Sequence, residues 1–176
     1  RLERARREVY DLVRIVRGDR LGLVVFSGAA FIQCPLTLDY GAFLLFLDYI
    51  DTSVVPQKGT NLGDAIRKAT AAFDDMARSS KAIILISDGG NLQGDPLSAA
   101  KEAKEQGIKI YTIGIGREDE ESPIPMRDGG FKYNEGKMVT TKLQDEILEE
   151  IALATGGAYV RSVTGDLDLE KIYFEE

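Results

Sequence analysis

Apolar residues recur along this chain in two patterns, a helical period of about 3.6 residues and the continuous runs typical of strands buried on both faces. The helical pattern predicts helices over residues 2–17, from an N-cap at Asp39 to about Ile50, over 62–76, from Asp95-Pro96 to Gly107, from 141 or 142 to 155, and over 166–174. The apolar runs predict strands over residues 21–26, 29–36, 81–87, 108–115 and 158–161. From residue 62 onward, helices and strands alternate as in the crossover units of a parallel sheet.

The first two predicted strands depart from this alternation. The connection between them, at Ser27 and Gly28, is so short that they must run antiparallel, and Pro35 suits an edge position for the second strand. The predicted fold class is therefore α/β, a three-layer, doubly wound, mostly parallel sheet with one antiparallel edge hairpin. We expect a single domain over residues 1–176, with the polar, Gly- and Pro-rich residues 117–141 as a surface insertion that contains a small hairpin.

Composition and charge narrow the classes of function. The chain has 176 residues with 22 Lys and Arg against 29 Asp and Glu, a net charge of −7, which argues against nucleic acid as the main partner. The first twenty residues carry seven Arg against four acids, which indicates a solvated helix face or, alternatively, a face toward anionic lipid or an acidic partner.

The numbers of Cys and His residues, and the lack of a long apolar run, exclude further structural and functional classes. Cys34 is the only cysteine and there is no His, which excludes an intrachain disulfide and the Ser-His and Cys-His dyads. We expect Cys34 to be buried rather than reactive. No run is long and apolar enough to predict a membrane span, and no signal peptide is predicted.

Asp88 is the strongest candidate for a site residue. It follows the apolar run of residues 81–86 at the head of Ser87-Asp88-Gly89-Gly90. Ligands of open α/β sheets bind beyond the carboxyl ends of the strands, and a carboxylate there can hold a hard cation. The alternative is that Asp88 only begins the turn toward the next helix.

Three segments together resemble a known family: residues 26–39, residues 59–66 with Gly-Thr-Asn-Leu-Gly-Asp, and residues 84–89 with Ile-Leu-Ile-Ser-Asp-Gly. The chain resembles a von Willebrand factor type A (VWA) domain. It is most similar to the bacterial aerotolerance-operon (Bat) subgroup of membrane-anchored proteins, which are often encoded beside MoxR-type AAA+ ATPases. The resemblance covers essentially the whole chain and implies the fold predicted above, but without its first central strand, because this sequence begins in the helix that would follow it.

The resemblance also implies a metal-ion-dependent adhesion site (MIDAS) for Mg²⁺, or for Mn²⁺ or Ca²⁺. Carried over by motif, its ligands here are Thr60 and Asp88. The Asp-x-Ser-x-Ser element that would supply further ligands is absent with the first strand, so the site is expected to be incomplete. The loops expected to form its rim contribute Ser27, Gly28, Gly59, Asn61, Gly89 and Gly90. Gly90 stands where many members of the family carry an acidic residue.

The function implied by the resemblance is cation-dependent recognition of a protein, in which the partner's carboxylate completes the metal's coordination, and not catalysis. The partners implied are other Bat proteins or a MoxR-type ATPase system. The implied location is the inner membrane, with a parent protein anchored outside these residues and this domain in the periplasm. Two alternatives remain open: a Mg²⁺-dependent phosphoryl-transfer or phospho-receiver domain, and a metal-independent scaffold. For Thr60, the alternative role is that of a helix cap.

Overall fold

The structure is a computed structural model that describes residues 2–51, 59–73, 80–90, 93–116 and 144–162, together with four two-residue strands between residues 122 and 141. The predicted helix over residues 166–174 lies outside the described residues. The helices are α1 (Leu2–Ile15), α2 (Tyr40–Asp48), α3 (Leu62–Ala71), α4 (Pro96–Glu105) and α5 (Asp145–Thr155). The strands are β1 (Leu21–Phe26), β2 (Ala30–Thr37), β3 (Lys81–Ser87), β4 (Ile108–Ile115), β5 (Ser122–Pro123), β6 (Tyr133–Asn134), β7 (Lys137–Met138), β8 (Thr140–Thr141) and β9 (Tyr159–Ser162).

Local sequence signals set several helix ends. Asp39 caps α2 by accepting a hydrogen bond from the Ala42 backbone amide, and Asp95 caps α4 in the same way from Ser98, with proline in the first turn. Helix α5 ends at Gly156, whose φ of 79° is left-handed, a conformation that glycine adopts at little steric cost. These three predicted helix boundaries are confirmed.

Two separate sheets form the middle layer. Strands β1 and β2 pair antiparallel, whereas β3, β4 and β9 pair in parallel in that order. The predicted parallel sheet and antiparallel hairpin are thus confirmed. Between β4 and α5, β5 pairs with β8 and β6 pairs with β7, so the predicted small hairpin is present in the backbone.

Helices cover both faces of this layer. On one face, Ala5 and Leu12 of α1 pack with the buried side chains of β4, while other residues of α1 and α2 pack on the hairpin. On the opposite face, α3, α4 and α5 enclose the largest cluster of buried side chains, which includes Leu62, Ile66 and Leu148. Because alternate strand residues point to opposite faces, each face of β3 and β4 contributes its own row to one of these two clusters.

A deep groove separates the two sheets, and we call it the slot. It has a volume of about 500 Å³ and lies between β1 and β3, with residues of α1 and α3 also lining it. In the described part of the chain, β1 pairs only with β2, and β3 pairs only with β4 on the side away from the slot. In this part of the chain, the two sheets have therefore not closed into one.

The slot explains why β3 is less buried than its apolar run predicted. All four residues of 83–86 line the slot together with Val24 of β1; Ile83 and Leu85 are buried, but Ile84, Ile86 and Val24 are only half-buried. A strand that has pairing partners on both sides, such as β4, is buried along almost its whole length.

Three element boundaries differ from those predicted. Helix α5 begins at Asp145 rather than at residue 141 or 142, because the β-branched pair Thr140–Thr141 is extended and pairs with Ser122–Pro123. Helix α1 ends at Ile15, about one half-turn before the predicted end, and such terminal residues commonly leave helical geometry. Helix α3 ends at Ala71 rather than at residue 76, and residues 74–79 lie outside the described part of the chain.

Candidate functional site

Thr60 lies in the short segment that enters α3. Gly59 precedes it with a φ of 121°, and Asn61 follows it as the helix N-cap, accepting a hydrogen bond from the Asp64 amide at 2.9 Å. The helix-cap role that was an alternative for Thr60 therefore belongs to Asn61. The Thr60 carbonyl accepts a hydrogen bond from the Gln93 amide at 3.2 Å, which ties this segment to the loop before α4.

Asp88 is the first residue after β3 and is half-buried. Its Oδ1 accepts a hydrogen bond from the Gly90 amide at 3.2 Å, and its carbonyl accepts one from the Gln144 amide at 2.9 Å. Gly89, with a φ of 76°, packs so closely against the Gln144 backbone that a Cβ would lie 2.7 Å from the Gln144 carbonyl carbon. Gln144, the residue before α5, therefore holds the Asp88 loop in place through its backbone.

Thr60 and Asp88 both line the slot, together with Ser27 and Gly59. Ser27 directly follows β1 and Asp88 directly follows β3, at the carboxyl ends of these strands. This is the edge of the sheet at which an open α/β fold binds ligands. Of the predicted rim residues, Gly28, Asn61, Gly89 and Gly90 do not line the slot but support the loops that do.

Ser27 connects the hairpin to the Thr60 segment. Its hydroxyl donates a hydrogen bond to the Gly59 carbonyl at 2.8 Å, and its carbonyl accepts one from the Asn61 amide at 2.8 Å. Gly28 and Gly59 are neighbours, since a Cβ on Gly59 would be in ordinary van der Waals contact with the Gly28 Cα at 3.6 Å. Ser27, predicted only as a rim residue, is thus bonded to the residues on both sides of Thr60.

Three residues that hold the site together were not predicted from the sequence. Asp64 Oδ2 accepts a hydrogen bond from the Ala30 amide at 2.7 Å, which joins α3 to the start of β2. Gln93 and Gln144 donate the backbone bonds described above. The spacing of Asn61 and Asp64 is a capping signal that could have indicated the helix start, but no local pattern in the sequence indicates the contacts across the fold.

The side chains at this end of the slot are chemically suited to a hard cation. Thr60 offers a hydroxyl and Asp88 a carboxylate, and Mg²⁺ prefers such oxygen ligands. In the described residues, however, no group of three or more His, Cys, Asp or Glu side chains is placed to hold a metal. The donor chemistry fits the implied metal, whereas the two protein ligands fall short of the roughly six positions that Mg²⁺ fills.

A salt bridge between Arg67 and Glu102 joins α3, the helix that follows Thr60, to α4. Two of the three nitrogens of the Arg67 guanidinium donate to Glu102, Nε to Oε2 and Nη2 to Oε1, each at 2.8 Å. These hydrogen bonds from Arg67 to Glu102 lower the pKa of the Glu102 carboxyl and raise the pKa of the Arg67 guanidinium. Elsewhere, Cys34 is 2% exposed, and burial raises the pKa of its thiol, as expected for a packed and unreactive cysteine.

Comparison with known proteins defines the class of this molecule. Residues 1–126 match the family described as von Willebrand factor type A domain, which is more than half of the 176 residues. The chain therefore belongs to the von Willebrand factor type A family, as the resemblance of its motifs predicted.

Within that family, solved structures of Bat-type proteins are the relevant relatives. The chain is similar to an aerotolerance-related membrane protein from Bacteroides fragilis, with a TM-score of 0.92 and 34% identity over 98% of this chain and 86% of that one. It is also similar to BatB from Bacteroides thetaiotaomicron, with a TM-score of 0.89 and 36% identity over 94% of this chain and 81% of that one. The predicted relation to Bat-type proteins is confirmed.

The chain is also similar to proteins at lower sequence identity. A protein of Borreliella burgdorferi without an assigned function is 29% identical over 174 residues, and the chain spans about half the length of the curated relatives it matches. Proximal thread matrix protein 1 of the mussel byssus, which has a zinc-occupied MIDAS motif, is 17% identical with a TM-score of 0.69 and shares the fold alone. Among the described helices, none has the length and apolar character that crossing a membrane requires.

Proposed function

We propose that this chain is a divalent-cation-dependent protein-interaction module in which Thr60 and Asp88 hold Mg²⁺, or Mn²⁺ or Ca²⁺ in its place. The observation that supports the proposal is that both residues line the slot, with Asp88 directly after β3 at the edge of the sheet suited to ligands. The distantly related byssus protein has a zinc-occupied MIDAS motif, which supports a divalent cation as the ligand of this fold.

The proposed partner is a protein that presents an Asp or Glu carboxylate. One carboxylate and one hydroxyl leave a divalent cation with uncompensated positive charge and open positions, which an anionic oxygen from a partner would fill. The relation to Bat-type proteins supports other Bat proteins, or a MoxR-type ATPase system, as the partner class, and supports a parent protein anchored in the inner membrane with this domain in the periplasm. We propose recognition and not catalysis as the role of the cation.

The slot supplies a physical reason to expect weak cation binding by residues 1–176 alone. An apolar extended segment lying between β1 and β3 would pair with both strand edges and would end beside Thr60 and Asp88. A strand in that place would bring additional oxygen ligands to the same end of the sheet, and it would hold the two sheets at a fixed separation.

Titration calorimetry with MgCl₂ on two polypeptides tests the proposal. We expect weak or no binding by residues 1–176, and measurable binding by a longer polypeptide that carries an apolar segment and an Asp-x-Ser-x-Ser motif before residue 1. Asp88→Asn should reduce the affinity of the longer polypeptide by about tenfold or more, because it replaces the anionic oxygen of a direct ligand by a neutral amide. Asp11→Asn, on the exposed face of α1, is the matched control and should leave the affinity unchanged.

Equal Mg²⁺ affinity for both polypeptides would contradict the role given to the slot. An unchanged affinity in Asp88→Asn would contradict the metal site itself.

A metal-independent scaffold is the second candidate, and one observation favours it. Leu45, Phe46 and Tyr49 of the segment that includes α2 are 62%, 41% and 77% exposed, and exposed apolar side chains close together are typical of protein-binding surfaces. Partner binding that persists in EDTA and is lost in Leu45→Glu would favour this scaffold over the cation-dependent module.

A further inference from the structure

We infer that Ser27 is a positioning residue for Thr60, which it holds through hydrogen bonds to the residues on either side. This inference rests on the proposed function for its consequence in cation binding, but the contacts themselves are properties of the fold. Ser27 is half-buried at the end of β1, and Thr60 belongs to a different segment that leads into α3.

The first contact is made by the side chain of Ser27. Its hydroxyl donates to the Gly59 carbonyl at 2.8 Å, directly before Thr60. Gly59 has a φ of 121°, a region that glycine enters about as readily as negative φ, so a contact at its carbonyl helps to select one conformation among several. The Ser27 hydroxyl provides that contact.

The second contact is made by the backbone of Ser27. Its carbonyl accepts a hydrogen bond from the Asn61 amide at 2.8 Å, directly after Thr60. The two contacts thus bracket Thr60, whose own carbonyl accepts the Gln93 amide at 3.2 Å. Three successive residues are thus held from outside, Gly59 and Asn61 by Ser27 of the hairpin and Thr60 by the loop before α4, so the backbone that carries the Thr60 side chain is fixed mainly by Ser27.

The turn of the hairpin is also held on its other side, at the start of β2, so it can serve as a fixed support for the Thr60 segment. Ala30, three residues after Ser27, donates its amide to Asp64 Oδ2 at 2.7 Å. Asp64 in turn belongs to α3, whose first residues follow Thr60. The turn between β1 and β2 and the entry to α3 therefore form one hydrogen-bonded unit, and Ser27 is its contact nearest to Thr60.

Removing the Ser27 hydroxyl should break only one of the two hydrogen bonds that flank Thr60. In Ser27→Ala the bond to the Gly59 carbonyl is lost, while the backbone bond to Asn61 is retained. Ser27→Thr keeps a hydroxyl at this position and is the conservative variant. Ser98→Ala is the matched control, since Ser98 also loses a side-chain hydroxyl contact, to Glu102 on α4.

Two measurements separate this inference from the proposed function. The first uses NMR of cation-free residues 1–176: Ser27→Ala should shift and broaden the Gly59 and Thr60 resonances while the Asn61 amide stays protected from exchange. The second uses the longer polypeptide: Ser27→Ala should weaken Mg²⁺ binding by about tenfold, as expected when a residue that orients a ligand is changed. Ser27→Thr should restore both readouts, and Ser98→Ala should alter neither.

The outcomes are distinguishable. Unchanged Thr60 resonances in cation-free Ser27→Ala would overturn the inference. Unchanged resonances combined with weaker Mg²⁺ binding would overturn it in favour of Ser27 as a direct ligand. If the longer wild-type polypeptide binds no cation, the proposed function fails, whereas a Thr60 perturbation rescued by Ser27→Thr would still support the positioning role.

Discussion

Gly89 offers a quantitative test of how the Asp88 loop is held. An alanine there would meet two separate costs, one from a left-handed backbone with a φ of 76° and one from contact with the Gln144 backbone before α5. Gly107 separates the two, because its φ of 71° is nearly the same but nothing lies within 4 Å of a Cβ at that position. Gly107→Ala therefore measures the backbone cost alone.

The expected magnitudes follow from these two environments. Gly107→Ala should lower the free energy of unfolding by about 1–2 kcal/mol, the cost of a left-handed alanine. Gly89→Ala should lower the free energy of unfolding by the same backbone cost and by about 1–3 kcal/mol more, because either α5 or the Asp88 loop must move to relieve the overlap. Its total is then about 2–5 kcal/mol.

Urea denaturation of the two variants and the wild type measures these differences. The same displacement should weaken Mg²⁺ binding by the longer polypeptide in Gly89→Ala but not in Gly107→Ala, because Gly107 lies at the far end of α4. Losses that agree to within about 0.5 kcal/mol would refute the reasoning, since the contact with Gln144 would then have no energetic effect.

Two further predictions concern the salt bridge and the insertion. Because the hydrogen bond from Arg67 lowers the pKa of folded Glu102 below its unfolded value, its stabilisation is present above the unfolded pKa and is lost as the pH falls through the folded one. Glu102→Gln should therefore flatten the acid side of a plot of unfolding free energy against pH, whereas Glu105→Gln on the same helix should not; identical curves would contradict the role of this pair. Replacing residues 117–141 by a short Gly/Ser link should preserve a cooperative thermal transition, since closure entropy depends only weakly on loop length, and a lost transition would show that the insertion contributes to the core.

The sequence predicted best what local chemistry determines. Asp39, Asp95 and Gly156 mark helix ends through hydrogen bonds or conformations that involve only neighbouring residues, and the structure confirms all three. The apolar runs identified β3 and β4 because a strand inside a parallel sheet has no solvent-facing side. The family's motifs, and the rule that ligands bind at the carboxyl ends of strands, pointed to Thr60 and Asp88; both residues line the slot, and their role as metal ligands stays a prediction.

The contacts that shape the site could not be predicted in this way. The Ser27 hydroxyl meets the Gly59 carbonyl across 32 positions of sequence, and Asp64 meets the Ala30 amide across 34. Nothing in the local pattern of either residue specifies a partner so far away. The boundary of α5 was misplaced for a related reason, since Thr140–Thr141 pairs with a strand about twenty residues earlier, and that pairing overrode a helix-compatible sequence.

The proposed cation site predicts that cation binding and filling of the slot are coupled. Thr60 is bonded through its neighbours to the hairpin on one side of the slot, whereas Asp88 extends from β3 on the other side. A cation held by both would therefore connect the two sheets at their carboxyl ends, and an extended segment in the slot would connect the same two sheets along their length. Each event restricts the same relative movement, so the one that occurs first reduces the ordering cost of the other. By linkage the effect is reciprocal: Mg²⁺ should strengthen the binding of the segment by the same factor as the segment strengthens the binding of Mg²⁺.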